Sequence, residues 1–241
     1  MAGNEYKIWA WGEAVGEGVT GAIHVGVAGV AKRNGPHAPQ AVANELLCSE
    51  LAQALRLPCP PGFVVSKDGV PHFASLNFNL AGEDLPPANA REIVAASSWH
   101  ATGITVFDVW ILNLDRHNKN IAFDRTTKRI QIFDHSHAIA NGFGITDMSL
   151  PPALDKHCLA GAIETGEHLQ DWVERVRLVP DYFIKEAVCD AVRLGYDQED
   201  RTKLEHLLLS RRDNIASLIA KAAADTPNLS SEIWAMKELG R

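Results

Sequence analysis

Phe107 to Ala138, FDVWILNLDRHNKNIAFDRTTKRIQIFDHSHA, decides how this chain is read. Ile121 to Phe123 and Ile130 to Phe133 are short β-prone runs, and the polar stretch Asp124 to Arg129 between them predicts a hairpin. The loop entering the first strand carries Asp115 and Asn120, while Asp134 stands just past the second, so the three side chains are expected to converge at one end. Phosphoryl transfer needs such a set, because negative charge must be neutralised and the attacking group aligned. Asn120 and Asp134 suit the hard magnesium cation through oxygen atoms, and Asp115 is placed to accept a proton from an incoming hydroxyl. Arg116 is expected to add positive charge.

At these residues the chain resembles the HipA-like kinases and, more distantly, the phosphoinositide kinases. Their catalytic loops read D-R-H-x-x-N, as Asp115-Arg116-His117-Asn118-Lys119-Asn120 does. The resemblance implies that Asp115 is the catalytic aspartate, Asn120 a metal ligand and Asp134 the counterpart of the metal-binding aspartate in the D-F-G motif of protein kinases. Here that triplet is Asp134-His135-Ser136. Singly, Asp and Asn in loops are more often turn formers or caps; the weight lies in the whole string followed by I-x-I-F-D. His117, His135 and His137 admit a reading as a histidine and carboxylate metal cluster, but imidazoles beside aspartates commonly hydrogen-bond them in place, and that role is expected here.

With 241 residues and 46% hydrophobic content, the chain can bury a substantial core as one domain or two small lobes. It has no apolar run long enough to cross a bilayer and no basic-then-apolar leader, so a cytoplasmic enzyme is expected. Cys48, Cys59, Cys158 and Cys189 lack C-x-x-C spacing, which argues against a zinc site or a disulfide framework. Asn228-Leu229-Ser230 is a glycosylation sequon by pattern only. The net charge of −7 argues against a general grip on nucleic acid.

Gly16-Glu17-Gly18-Val19-Thr20-Gly21 spells G-x-G-x-x-G. In a dinucleotide-binding fold a helix should follow, yet Ala22 to Ala31, AIHVGVAGVA, reads as strand. A glycine-rich hairpin over ATP phosphates is compatible, with Gly16, Gly18 and Gly21 in the turn. Lys32 ends the strand run and resembles the kinase lysine that grips the α and β phosphates. A helix is expected from Gln40 to Leu55, with an apolar stripe of Val42, Leu46, Leu47, Leu51 and Leu55. The resemblance favours Glu45, in the pair Asn44-Glu45, as the ion-pair partner of Lys32, with Glu50 in reserve; otherwise each would lie on a solvated helix face.

The prolines of LPCPPG, residues 57 to 62, end that helix. Strands at Phe63 to Val65 and Val70 to Ser75 follow across the Lys67-Asp68-Gly69 turn. Leu76, Asn77 and Phe78 then stand where a kinase hinge presents backbone groups to adenine. Ala90 to Thr102, Thr105 to Leu112, Glu167 to Leu178, Asp181 to Leu194 and Gln198 to Asp225 read as successive helices, with Trp99 and Trp110 in the core. Asn141 to Pro152 holds the place of an activation or substrate loop.

The expected fold is α+β and bilobal, like protein kinases: a small mainly β lobe over residues 1–79 and a larger mainly α lobe over 80–241. The expected activity is ATP- and Mg²⁺-dependent transfer to a hydroxyl, with a protein serine or threonine favoured by family analogy alone. An ATP-binding module without turnover, an adenylyl transferase and a metal-dependent phosphohydrolase are the competing classes.

Overall fold

The computed structural model of the chain describes residues 8–16, 21–78, 87–139 and 154–235. Two antiparallel strands, β1 (Ile8–Ala14) and β2 (Ile23–Val27), form a hairpin of their own. Gly16 and Gly21 flank its turn at φ of +62° and +64°, a backbone that glycine adopts without steric cost. A strand, not a helix, follows the glycines, which removes the dinucleotide-binding alternative on physical grounds. Gly18 lies outside the described residues.

A separate three-stranded antiparallel sheet contains β3 (Gly29–Lys32), β4 (Gly62–Lys67) and β5 (Val70–Leu76) in the order β3-β5-β4. Helix α1 (Ala41–Ala54) joins β3 to β4 and lies within one residue of the expected span. Its packing differs from a one-sided stripe. Every residue from Ala41 to Ser49 is buried, the polar Asn44, Glu45 and Ser49 included, because the helix is enclosed from two sides. Val42 and Leu46 meet Phe73 of the sheet, while Ala43, Leu47, Cys48 and Leu51 join the main core. That core reaches α5 (Asp181–Gly195), on which α1 packs most extensively.

The larger part is helical. Helix α2 (Ala90–Ala96) and α3 (Ser98–Trp110) meet at Ser97, whose Oγ accepts from His100 N at 3.3 Å and caps α3. The expected break near Gly103 is therefore displaced: Gly103 lies inside α3, where a Cβ would approach the Trp172 ring to 2.3 Å, so it marks a close packing contact. Beyond α4 (Leu169–Arg177) and α5, the single helix expected over residues 198–225 is divided at Asn214 into α6 (Asp200–Asp213) and α7 (Ile215–Ala224), followed by a short α8 (Ser231–Trp234). Trp110, Trp172 and Trp234 are fully buried. Trp99 is partly buried against the same core.

The C-terminal end of α3 is fixed by Arg211 from α6. Its Nε donates to Trp110 O at 2.9 Å and its Nη2 to Val109 O, placing a cation on the helix's free carbonyls. From that anchored end the chain passes directly into the loop 113–120 and then the hairpin of β6 (Ile121–Asp124) and β7 (Arg129–Ile132), paired Ile121 with Ile132 and Asp124 with Arg129. Asp124 Oδ1 accepts from Thr126 N and Thr127 N and closes the turn. The boundary expected at 79/80 falls outside the described residues, as does the activation-like stretch 141–152. No described helix is long and apolar enough to cross a membrane.

Candidate active site

Lys32, at the end of β3, reaches two carboxylates at once. Its Nζ lies 2.8 Å from Glu45 Oε1 on α1 and 2.8 Å from Asp134 Oδ1 past β7. Glu45 is 4% exposed and so has left the solvated helix face that its sequence position allowed. Burial alone would raise its carboxyl, but the neighbouring His135 ring and the Lys32 ammonium outweigh burial and hold it at about 2. Ser136 Oγ donates to the same Glu45 oxygen at 2.9 Å. Burial opposes the charge of Lys32 too, yet Glu45 and Asp134 raise its pKa overall. Glu50 takes no part: it faces α5, where burial and then the charge of Asp190 push it up to about 7.

Asp134 adopts φ of +61°, a left-handed backbone that Asp tolerates better than most residues. The segment after it is tied down by α1. Asn44 Nδ2 donates to Ser136 O at 3.0 Å and to Ala138 O at 2.8 Å, and the Tyr196 hydroxyl donates to Asn44 Oδ1. The Asn44-Glu45 pair thus works as a unit, one side chain holding the loop backbone and the other the lysine.

The loop 113–120 rests on a buried ionic network. Arg116, expected to lend charge to the reacting group, is instead fully buried and serves as a hub. Its Nε donates to Asp108 Oδ2 at 2.8 Å and its Nη1 to Asn120 O at 2.7 Å and Phe133 O at 3.0 Å. Its Nη2 donates to Asp108 Oδ1 at 3.1 Å and to His135 Nε2 at 2.8 Å. Arginine only donates, so His135 accepts at Nε2 and carries its proton on Nδ1, 3.8 Å from Glu45 Oε2. Asp108 also accepts from Asn113 Nδ2 at 2.8 Å and pairs with His157 Nε2 at 3.0 Å. Burial would raise the Asp108 carboxyl, but Arg116 and His157 hold it well below the usual carboxylate range. A single lattice of donors thereby joins α3, the loop, the end of β7 and residue 157.

Above this lattice, Asn120 Nδ2 donates to Asp115 O at 2.8 Å and to Asp115 Oδ2 at 3.3 Å. The amide nitrogen is committed to Asp115, which leaves Asn120 Oδ1 as the oxygen that can meet a cation. His117 Nδ1 accepts from Lys119 N at 3.1 Å, and its Nε2 stands 3.7 Å from Asp115 Oδ1. The histidines therefore diverge into separate tasks. Among the described residues, no group of three or more His, Cys, Asp or Glu side chains is placed to hold a metal ion. Asp134 and Asn120 provide hard oxygen donors that fit magnesium, whose remaining positions are ordinarily filled by water and phosphate oxygens.

Two clefts meet at Lys32, Lys119 and Asp134. The inner one, about 580 Å³, has apolar walls that include Val30, Phe73, Leu76, Phe78, Ile121 and Phe133, with Lys32, Glu45 and Asp134 at its polar end. An apolar slot with a few convergent charged groups suits a flat heterocycle bearing phosphates. Leu76, Asn77 and Phe78 all line it, as their position in the sequence suggests. The N–H groups of Leu76 and Asn77 are already given to Pro61 O and Ala28 O, both at 2.9 Å. Neither of these two N–H groups is left for a ligand. Cys59 also lines this cleft, but burial pushes its thiol to about 12, which removes it as a nucleophile. The outer cleft, about 710 Å³, contains Asp115, Asn120 and Asp134. Neither Gly16 nor Gly21 lines either cleft among the described residues.

Sequence reading gave no role to Asp108, Ser136, His157 and Tyr196, and it used Asn44 only as half of the Asn44-Glu45 pair. Asp108 carried a visible signal, a lone carboxylate inside the apolar run ITVFDVWIL, residues 104 to 112. Ser136, His157, Tyr196 and the grip of Asn44 on residues 136 and 138 reveal themselves only through contacts across long stretches of chain.

Comparison with known proteins agrees with this geometry. The family model for the HipA-like kinase matches residues 30–183. Among solved structures, the Helicobacter pylori proinflammatory kinase CtkA superposes with a TM-score of 0.58 at 13% identity, covering 92% of this chain and 97% of that one. HipA of Shewanella oneidensis MR-1, solved with HipB and operator DNA, gives a TM-score of 0.50 at 13% identity over 81% of this chain and 61% of that one. No curated protein matches the chain significantly in sequence. The fold is the bilobal kinase-like α+β fold, and the matched span covers most of the site described above. The chain belongs to the HipA-like kinase family, a family of kinase-like phosphotransferases.

Proposed function

We propose that the chain transfers the γ-phosphoryl group of ATP to a hydroxyl, with a serine or threonine of a protein as the acceptor. The observation that carries this reading is the double engagement of Lys32, 2.8 Å from both Glu45 and Asp134, at the junction of an apolar cleft and a cleft containing Asp115 and Asn120. Bound Mg²⁺–ATP supplies the reactive phosphoryl group and the divalent charge that offsets the negative charge developing during transfer. The chain supplies position. Leu76 to Phe78 and Phe133 enclose the base, and Glu45 keeps the Lys32 ammonium aimed at the phosphates. Asn120 Oδ1 and the Asp134 carboxylate hold the cation. Asp115, kept in place by both hydrogen bonds from Asn120 Nδ2, would orient the acceptor hydroxyl and take its proton as the oxygen bonds to the γ-phosphorus and the bond from that phosphorus to the β–γ bridging oxygen breaks, with ADP as the leaving group.

The test is intact-protein and acceptor mass after incubation with Mg²⁺–ATP, for wild type and Asp115→Ala. Phosphoryl addition by wild type, reduced by about 10²–10⁴-fold in Asp115→Ala, is expected. Equal rates in the two would remove Asp115 from the reaction, and adenylyl-sized products would replace phosphoryl by nucleotidyl transfer.

A further inference from the structure

The outer cleft has a charge character that the chain as a whole lacks. The protein is acidic, with a formal net charge of −7, yet basic groups from three segments gather around Asp115. Arg33 and His37 come from the turn after β3, His117 and Lys119 from the loop 113–120, and His137 from the segment past Asp134. Among the described residues lining this cleft, the carboxylates are Asp115 and Asp134, both already used by the proposed reaction, and Asp134 is paired with Lys32. Among the described residues, neither Arg33 nor Lys119 has an ion-pair partner. Lys119 also lines the inner cleft and so serves both, whereas Arg33, His37, His117 and His137 belong to the outer cleft alone.

The wall bearing Arg33 and His37 is built rather than loose. Gly35 and Ala38 exchange backbone hydrogen bonds of 3.2 and 3.1 Å across the turn. Asn34 locks its base: Oδ1 accepts from Val42 N at 2.9 Å, and Nδ2 donates to Leu194 O at 3.2 Å. The turn is thereby fixed to the start of α1 and the end of α5. Docking of an anion then orders the exposed Arg33 and His37 side chains but not the backbone that carries them, which lowers the cost of recognition.

Resting on the phosphotransfer reading above, we propose that the outer cleft selects a polypeptide acceptor whose serine or threonine is flanked by Asp or Glu side chains. The two permanent cations without an ion-pair partner among the described residues, Arg33 and Lys119, come from separate segments around Asp115, with the His37, His117 and His137 rings beside them as polar partners, so the complementary carboxylates must stand on more than one side of the hydroxyl. An extended peptide supplies them at successive residues, and a cleft of about 710 Å³ admits neighbours as well as the accepting side chain. The acidic character of the rest of the chain disfavours a long nucleic acid, whose phosphates would continue past the cleft over like charge. Specificity then combines attraction for acidic flanks with repulsion of basic ones.

The experiment supplies Mg²⁺–ATP and three matched serine and threonine peptide libraries with acidic, neutral or basic flanks to wild type, Arg33→Glu and the double variant Arg33→Glu/His37→Glu. Each protein is also followed by thermal shift with Mg²⁺–ATP. Wild type is expected to phosphorylate the acidic library about tenfold faster than the basic one, with the gap narrowing as salt is raised. Arg33→Glu should erase most of that preference, and the double variant should turn it toward basic flanks, while the Mg²⁺–ATP shift stays as in wild type. Equal rates across the libraries, a basic preference in wild type, or no transfer to any library by a protein that Mg²⁺–ATP stabilises would overturn the inference and leave the nucleotide site standing. Competition by single-stranded RNA that depends on Arg33, without a peptide preference, would overturn it in favour of a nucleic-acid ligand. Absence of both transfer and the thermal shift marks failure of the phosphotransfer reading itself, and the inference falls with it.

Discussion

The floor of the site and the glycine hairpin of β1 and β2 are built on opposite principles. Beneath the loop 113–120, Asp108, Arg116 and His135 are buried almost completely, and each is held by several donors or acceptors. In the β1–β2 hairpin, Trp9 is 76% exposed and Trp11 68%, and Ile23, Val25 and Val27 are exposed as well. The floor has one arrangement because any rotation of Arg116 strands a buried charge; the hairpin has little tertiary packing to lose. Positioning of Asp115, Asn120 and Asp134 therefore depends on a polar lattice that costs much to disturb, whereas the hairpin side chains contribute little buried surface to the fold.

The sharpest way to break this contrast is Asp108→Ala. It leaves Arg116 buried without its carboxylate, and a loss of about 3–5 kcal/mol is expected from such a one-sided deletion. For a chain of this size that is a drop of roughly 10 °C in thermal midpoint. A drop no larger than that of an ordinary surface substitution would show that the lattice is not what holds the floor.

Glu45→Gln is the next largest. Because the carboxyl is held at about 2 in the folded state against an ordinary 4.5, it stabilises the fold fully above about pH 4.5 and loses that contribution as the pH falls toward 2. Wild type should therefore lose stability through that window, as measured by urea unfolding, and the variant should show a flatter acid limb. On the same helix Glu50 behaves oppositely. Its carboxyl is raised to about 7, so it costs nothing below about pH 4.5, and its penalty grows as the pH rises to about 7. After allowance for solvent screening, Glu50→Gln should stabilise the protein by about 1 kcal/mol at pH 8 and change little at pH 4.

The smallest effect belongs to the hairpin. Trp11→Ser should shift global stability by no more than about 0.5 kcal/mol, and amide exchange in β1 and β2 should remain fast beside that of α3. Slow exchange throughout the hairpin would place it with the floor and remove the contrast.

Much of this site was legible in the sequence because its central residues are local. Asp115, Asn120 and Asp134 sit at fixed offsets from two short strands, and the β-prone runs with the polar stretch between them mark the hairpin directly. Lys32 and Glu45 were readable as the ends of a strand and a helical segment, although only the resemblance paired them. Arg116 was misread since nothing in D-R-H-x-x-N reveals that its guanidinium turns inward to Asp108. The break placed near Gly103 failed for a related reason: the glycine answers to Trp172, 69 positions later in the chain by number, not to local helix propensity. Ser97, which does end α2, has capping chemistry that is visible in the sequence, but only the structure shows that it outweighs the glycine as the break.

The most direct measurement is the thermal midpoint of wild type and Asp134→Asn, each with and without Mg²⁺–ATP, since a ligand that binds only the folded state stabilises it by mass action. A magnesium-dependent rise of several degrees in wild type, largely lost in Asp134→Asn, is the result this account predicts. No rise in wild type at millimolar nucleotide, or an equal rise in both proteins, would contradict it.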